Sequence, residues 1–360
     1  MIRLIKKQKN PRKRLNIKIH SKNTKQNSTI FIIKKYIEYI IMSITQETPT
    51  DLIFVSRLSE YQDIYELYQK QQSCIWTPPE IDYSMDKNIF EKMTPNEQHF
   101  FKHILTFFAG ADALVSENIS INFINDFKPQ VVKACYAFQN YMEFIHAETY
   151  SLLLTTMIPN REEQEKLFNT VKNYPIIQKK LDYATKWITC GCPLPYRLLG
   201  FIIFEGIFFS GSFCAIFWNK SRGGSKTLHG LVTGNEFIAR DEGMHVEFGI
   251  LLYNKLEKQL SQKEVHKMFS NAVEIEKEFI IDSLPCNLIG MNSKSMSDYI
   301  EYISDFYLSW LGYEKLYNTK NPFPFMEGIS IESKTNFFEH RVSQYSKSQT
   351  IHKFTIEEDF

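Results

Sequence analysis

The tightest constraint on this chain is the stretch Gln139-Asn140-Tyr141-Met142-Glu143-Phe144-Ile145-His146-Ala147-Glu148-Thr149-Tyr150. Read as helix, it brings residues three and four apart together on one side. Val132, Cys135, Gln139, Glu143, His146, Tyr150, Leu153 and Met157 then make one stripe, the stripe that faces the core of an amphipathic helix. A carboxylate, an imidazole and a phenol lie on that side. Burying an ionised carboxylate is costly unless something pairs with it. A metal ion is an economical partner, because carboxylate and neutral imidazole are both ligands.

A lone E-x-x-H tetrapeptide arises by chance in a chain of this length, and by itself fits a satisfied core histidine beside a surface glutamate. A second match changes the weighing: Glu242-Gly243-Met244-His245, with Asn235, Ile238, Glu242, His245 and Leu252 again on one helical stripe. Two more acids stand where helices should be apolar. Asp112 follows Phe101, Leu105 and Phe108 and precedes Val115 at helical spacing, and Glu205 sits inside Phe201-Ile202-Ile203-Phe204-Glu205-Gly206-Ile207-Phe208-Phe209. The order is acid, acid plus His, acid, acid plus His. That is the ligand pattern of a dimetal carboxylate site in a four-helix bundle, and four carboxylates balance two divalent ions.

These residues carry a resemblance to the small, radical-generating subunit of class I ribonucleotide reductase, running from about Leu52 to Phe360. Trp76-Thr77-Pro78-Pro79-Glu80, Phe107-Phe108-Ala109-Gly110-Ala111-Asp112, the Glu143–Tyr150 run, Glu205-Gly206-Ile207-Phe208-Phe209-Ser210-Gly211-Ser212-Phe213 and Arg240-Asp241-Glu242-Gly243-Met244-His245 all contribute to it. The resemblance implies an all-α, ferritin-like helical bundle with extra helices round a four-helix dimetal core. It implies two iron ions per chain, manganese being possible, held by Asp112, Glu143, His146, Glu205, Glu242 and His245. Tyr150 takes the place of the stored radical, and Phe209, Phe213 and Ile238 that of its apolar pocket. Trp76, Asp241 and His146 match the family's hydrogen-bonded electron-transfer chain. Tyr345 resembles the tail tyrosine that relays the radical between subunits. The last residues, Phe354, Thr355, Ile356, Glu357, Glu358, Asp359 and Phe360, resemble the segment that docks on the large catalytic subunit. The implied activity is that of a ribonucleoside-diphosphate reductase, working in the cytoplasm as a homodimer or heterodimer of small subunits.

The net charge of +1 hides an asymmetry. Residues 1–37 hold twelve Lys or Arg and no acid, which leaves 30 basic against 41 acidic residues in the rest. A mildly acidic body argues against nucleic-acid binding, which wants a basic face. No apolar run is expected to reach the roughly 20 residues of a membrane span. Six unevenly spaced cysteines make no disulfide framework, and Cys190-Gly191-Cys192 reads as two free thiols in a loop. The division expected is a basic leader over 1–50, a diiron domain over 51–325 and a flexible docking tail over 326–360. The leader fits a targeting peptide, a disordered arm, or upstream sequence ahead of a start at Met42-Ser43.

In order, a short helix leads to Trp76, and Met93-Thr94-Pro95-Asn96-Glu97 has the cap, proline and N3 acid of a helix start. That helix is expected to reach about Phe127. Others cover Pro129 to Met157, Arg161 to Lys172, Ile176 to Ile188 and, as the most apolar and central one, Tyr196 to Lys220. The second E-x-x-H helix runs to about Leu260. Ser261 and Glu264 form a capping box for a helix whose Glu274, Glu276 and Glu278 read as a solvated face, and Ser297 to Trp310 closes the set. Tyr196, the bulky Gly200–Phe204 run and Gly234 depart from the family's usual residues. They keep two alternatives open: a radical-deficient partner in a heteromeric small subunit, and a ferritin-type iron oxidase.

Overall fold

The computed structural model describes Phe54 and residues 58–326, apart from 173, 190, 224, 225 and 284. The leader, Tyr345 and residues 354–360 lie outside the described residues. Among those described there are helices and no strands. In chain order they are α1 Gln62–Ser73, α2 Asp86–Glu91, α3 Pro95–Asn118, α4 Gln130–Met157, α5 Arg161–Lys172, α6 Pro175–Thr189, α7 Leu194–Ile207, α8 Ser210–Ser221, α9 His229–Asn254, α10 Gln262–Lys277 and α11 Ser293–Trp310.

Local chemistry sets the starts. The Thr94 hydroxyl accepts from the Glu97 N–H while Glu97 accepts from the Thr94 N–H at 2.8 Å, and Pro95 needs no partner at the first helical position. Ser261 and Glu264 repeat the box ahead of α10. After α3 the chain continues as a wide π turn, Ile119–Phe123, and a last short turn to Asp126; Lys128-Pro129 then forces extended backbone. The short link makes α3 and α4 an antiparallel hairpin, and these two pack together along their length. Helices α7 and α8 pack on α9, and α1 lies against α4. Gly249 lets α9 approach α7 closely: a Cβ there would lie 2.8 Å from Ile202 Cγ1.

Four expectations change. The single helix from Tyr196 to Lys220 is two, because α7 ends at Ile207 and α8 restarts at Ser210. Ser210-Gly211-Ser212 is the one local sign of such a break, and the bulky apolar residues on either side mask it. Glu276 is not solvated but wholly buried on α10, paired with Lys180 of α6. Cys192 is disulfide-bonded, so it is not a thiol; Cys74, Cys135, Cys214 and Cys286 are buried and outside any disulfide. Taken as helices, the stretches Pro95–Asp126 and Leu194–Ser221 are each long and apolar enough to cross a membrane, although no bare apolar run suggested it. The hydropathic window of Leu194–Ser221 is wholly buried among other helices, as befits a helix apolar on every side.

Candidate metal centre

Four helical segments deliver the six expected side chains to one place. Asp112 comes from α3, Glu143 and His146 from α4, Glu205 from α7, and Glu242 and His245 from α9. All six are buried. One ligand atom from each of Glu143, Glu205, Glu242 and His245 lies within 4.8 Å of the others, and Asp112, Glu143 and His146 meet the same limit. Glu143 thus belongs to both groups. The two histidines turn Nδ1 inward: His146 Nδ1 is 3.0 Å from Glu242 Oε1, and His245 Nδ1 is 3.1 Å from Glu143 Oε1.

The donor atoms pass the test of fit for metal. Asp112 Oδ2, Glu143 Oε2 and Glu205 Oε2 are buried and have no hydrogen-bond partner, while His146 Nδ1 and Glu242 Oε1 lie 3.0 Å apart but poorly aligned. So many orphaned polar atoms facing one point cost far more than a folded protein tolerates, unless cations complete them. Protonation follows the same logic. Burial, then the Glu143 and Glu242 charges, push Asp112 well above the carboxylate range, and burial with Glu242, Glu143 and Asp112 does so for Glu205. Burial works against ionised Glu143, yet His245 and His146 hold it down to about 2. Burial also opposes charge on His245, but Glu143 and Glu242 lift it to about 9. Without cations the cluster keeps its charge in check with protons, and binding metal displaces protons from such ligands.

Around this core the expected neighbours are in place. Trp76 Nε1 donates to Asp241 Oδ2 at 2.7 Å, and the same oxygen is 3.2 Å from His146 Nε2. Arg240 reaches the other oxygen of Asp241 through Nε and Nη2, and donates to the Cys74 carbonyl. Burial opposes the Asp241 charge, but Arg240, His146 and Trp76 together keep its pKa below normal. Tyr150 is 1% exposed and its hydroxyl has no hydrogen-bond partner. Burial, then Asp112, Glu242 and Glu143, push its pKa far above the usual phenol range.

Some contributors were missed in the sequence. The Phe108 ring stacks on Tyr150 with centroids 4.7 Å apart and planes 3° from parallel. It also touches Phe213 at 5.1 Å and Phe209 at 5.3 Å. Phe108 lies one turn before Asp112, Tyr150 one turn after His146, and an antiparallel hairpin brings such positions together. Ile238 is buried on α9. Gln139 Nε2 donates to Glu205 Oε1 at 3.0 Å. Its place on the buried stripe was visible, but not its partner on another helix.

A family model described as "Ribonucleotide reductase, small chain" matches residues 54–322. The chain belongs to that family. Among ribonucleotide reductase small chains, it is 46% identical over 309 residues to the A form of the Arabidopsis thaliana ribonucleoside-diphosphate reductase small chain, covering 83% of this chain and 90% of that one. The fold is similar to the ribonucleotide reductase Rnr4 homodimer from Saccharomyces cerevisiae, with a TM-score of 0.75, 30% identity and coverage of 89% of this chain and 99% of the other. A dimanganese(II) NrdF from Streptococcus sanguinis shares the fold, with a TM-score of 0.62 at 19% identity over 75% of this chain and 96% of that one.

Proposed function

We propose that this chain is the radical-generating small subunit of a ribonucleoside-diphosphate reductase, and that a separate large subunit binds the ribonucleotide and reduces it. The observation that carries this is the convergence of six buried ligands, four of them carboxylates, on a point one helical turn from a buried tyrosine with an unbonded hydroxyl. In this reading Asp112, Glu143 and His146 would hold one ion, and Glu143, Glu205, Glu242 and His245 lie together where they would hold the other. Iron is our assignment; the same oxygen- and nitrogen-rich donors suit manganese, the metal named for the Streptococcus sanguinis neighbour. When bound, such a pair supplies oxidising equivalents drawn from dioxygen.

The residues of the chain do the rest. Tyr150 gives up one electron and its phenolic proton. Phe108 stacks on it and Phe209 and Phe213 close on Phe108; with Ile238 we take these as the pocket that resists oxidation and excludes water. His146, Asp241 and Trp76 form a hydrogen-bonded line leading away from the ligands, along which an electron and a proton move together. Asp241 holds the His146 ring in one orientation, as outer carboxylates do for ligand histidines. Tyr345 continues the relay and residues 354–360 dock on the large subunit. We place the protein in the cytoplasm, where ribonucleotides are at hand. A second copy packs over the exposed α4 stripe of Tyr141, Phe144 and Leu152, whose spacing and apolar character suit a helix-to-helix interface.

The full ligand set favours this role over that of a radical-deficient partner. Electron paramagnetic resonance after aerobic addition of Fe(II) to the metal-free protein is the test. A tyrosyl signal with no turnover by the chain alone is expected. Two bound irons with no signal would remove the radical role and favour the heteromeric partner instead.

A further inference from the structure

Away from the metal ligands, one polar pair is as deeply buried as they are. Lys180 of α6 and Glu276 of α10 both have no exposed surface, and Nζ lies 2.7 Å from Glu276 Oε2. Nζ also sits over the Phe279 ring at 3.8 Å and the Phe107 ring at 4.1 Å. Burial outweighs the partner's charge at both groups, so that Lys180 is pulled down to about 8 and Glu276 pushed up to about 6. Removing two charges from water costs several kcal/mol per ion, and apolar replacements of such pairs are often as stable or more so. Stability alone does not account for the pair.

What the pair touches does. Lys180 Nζ donates to the Phe208 carbonyl at 2.8 Å, at the residue where α7 gives way to α8. Glu276 faces the other side of the same break, with Oε1 only 2.6 Å from where a Cβ on Gly211 would lie. Inside the break the Phe208 N–H bonds to Ile203, five residues back, at 3.4 Å. A turn of that kind carries an extra residue and rotates the downstream helix by roughly 100° relative to a continuous α-helix. In a continuous helix Glu205, Phe209 and Phe213 would share one stripe. The break instead lets Glu205 meet the ligand cluster while Phe209 and Phe213 close on Phe108, the ring that stacks on Tyr150.

We propose that Lys180 and Glu276 are positioning residues that lock the α7–α8 break, holding Glu205 in register with the other ligands and Phe209 in register with the Tyr150 pocket. This rests on the metal-centre reading given above. The full-length Lys180→Met/Glu276→Leu double variant tests it, with two measurements besides activity: Mn(II) titration of the metal-free protein, following the free-ion resonance, and the lifetime of the tyrosyl signal after Fe(II) and oxygen. The double variant should melt within a few degrees of the unaltered protein, yet bind its weaker Mn(II) roughly tenfold less tightly and lose its radical several times faster. A stable double variant with unaltered Mn(II) affinities and radical lifetime overturns the lock. If the double variant does not fold, Glu276→Gln carries the test with the same two readings, because it keeps the shape of the side chain and removes only the charge. Failure of the unaltered protein to bind Mn(II) overturns the metal-centre reading, and the lock with it.

Discussion

Tyr136, like Tyr150, has a buried hydroxyl without a hydrogen-bond partner, so Tyr150 is set apart by its place one turn beyond His146, where Asp112, Glu242 and Glu143 act on it. A buried tyrosine normally finds a hydrogen-bond partner, and this one has none while its ring lies flat on Phe108. A buried phenol stacked on Phe108 and one turn from the ligands is well placed to hold an unpaired electron. Tyr150→Phe should therefore keep two metals per chain and cost little stability, since no hydrogen bond is lost, but abolish the tyrosyl resonance. Metal analysis beside electron paramagnetic resonance decides it, and a surviving signal would take Tyr150 out of the mechanism. Trp76 makes a different prediction, because its N–H reaches Asp241 and not a ligand. Trp76→Phe leaves Arg240 and His146 on that carboxylate, so metal content should hold. Turnover with the large subunit should fall by roughly 100-fold or more; full turnover would mean that the line through Asp241 carries nothing.

At the scale of elements, the same chemistry that starts α3 ties it to the far end of α8. Glu97 caps its own helix and accepts from Arg222 Nη2 at 2.7 Å. Burial opposes its charge, but the Thr94 backbone and Arg222 outweigh that and hold its pKa down to about 2. A carboxylate whose pKa is lower folded than unfolded adds stability above its unfolded value, and that stability is lost as pH falls toward the folded one. Glu97→Gln should thus lower stability at pH 7 by about 2 kcal/mol, with the deficit in melting temperature shrinking as pH drops from 4.5 toward 2. A deficit independent of pH would assign the loss to packing. Caps of this sort were legible in the sequence because a Thr and a Glu three residues apart decide them locally. So was the ligand set: charges on stripes that must be buried announce themselves. The break after Ile207 was not, since the bulky apolar residues on either side of Ser210-Gly211-Ser212 mask it and leave no period to interrupt. Nor was the burial of Glu276, which alternates with truly exposed acids and owes its place to a lysine on another helix.

For the whole molecule, the question is how an oxidant at the centre of a helical bundle reaches a nucleotide. The cavity beside Glu205 and Glu242, lined also by Tyr299, Ile303 and Tyr307, has a volume of about 60 Å³. That holds a few molecules the size of water or oxygen and is far too small for a ribonucleotide. In the proposed reading the reducing chemistry belongs to the large subunit, and the oxidising equivalent leaves through side chains. The C-terminal run Phe354-Thr355-Ile356-Glu357-Glu358-Asp359-Phe360 has the pattern for docking: apolar residues to fill pockets, acids to choose a basic rim. Deleting residues 354–360 should leave metal content and tyrosyl signal unchanged, because neither depends on a partner. Turnover with the large subunit should fall by roughly 100-fold at micromolar protein, the loss expected when about 3 kcal/mol of docking energy is removed. The heptapeptide added in excess should inhibit the intact pair in the same way. If the truncated chain supports full turnover, the contact lies on another face, and the exposed α4 stripe would then be the surface to examine, with Phe144→Glu separating large-subunit docking from self-association by sedimentation.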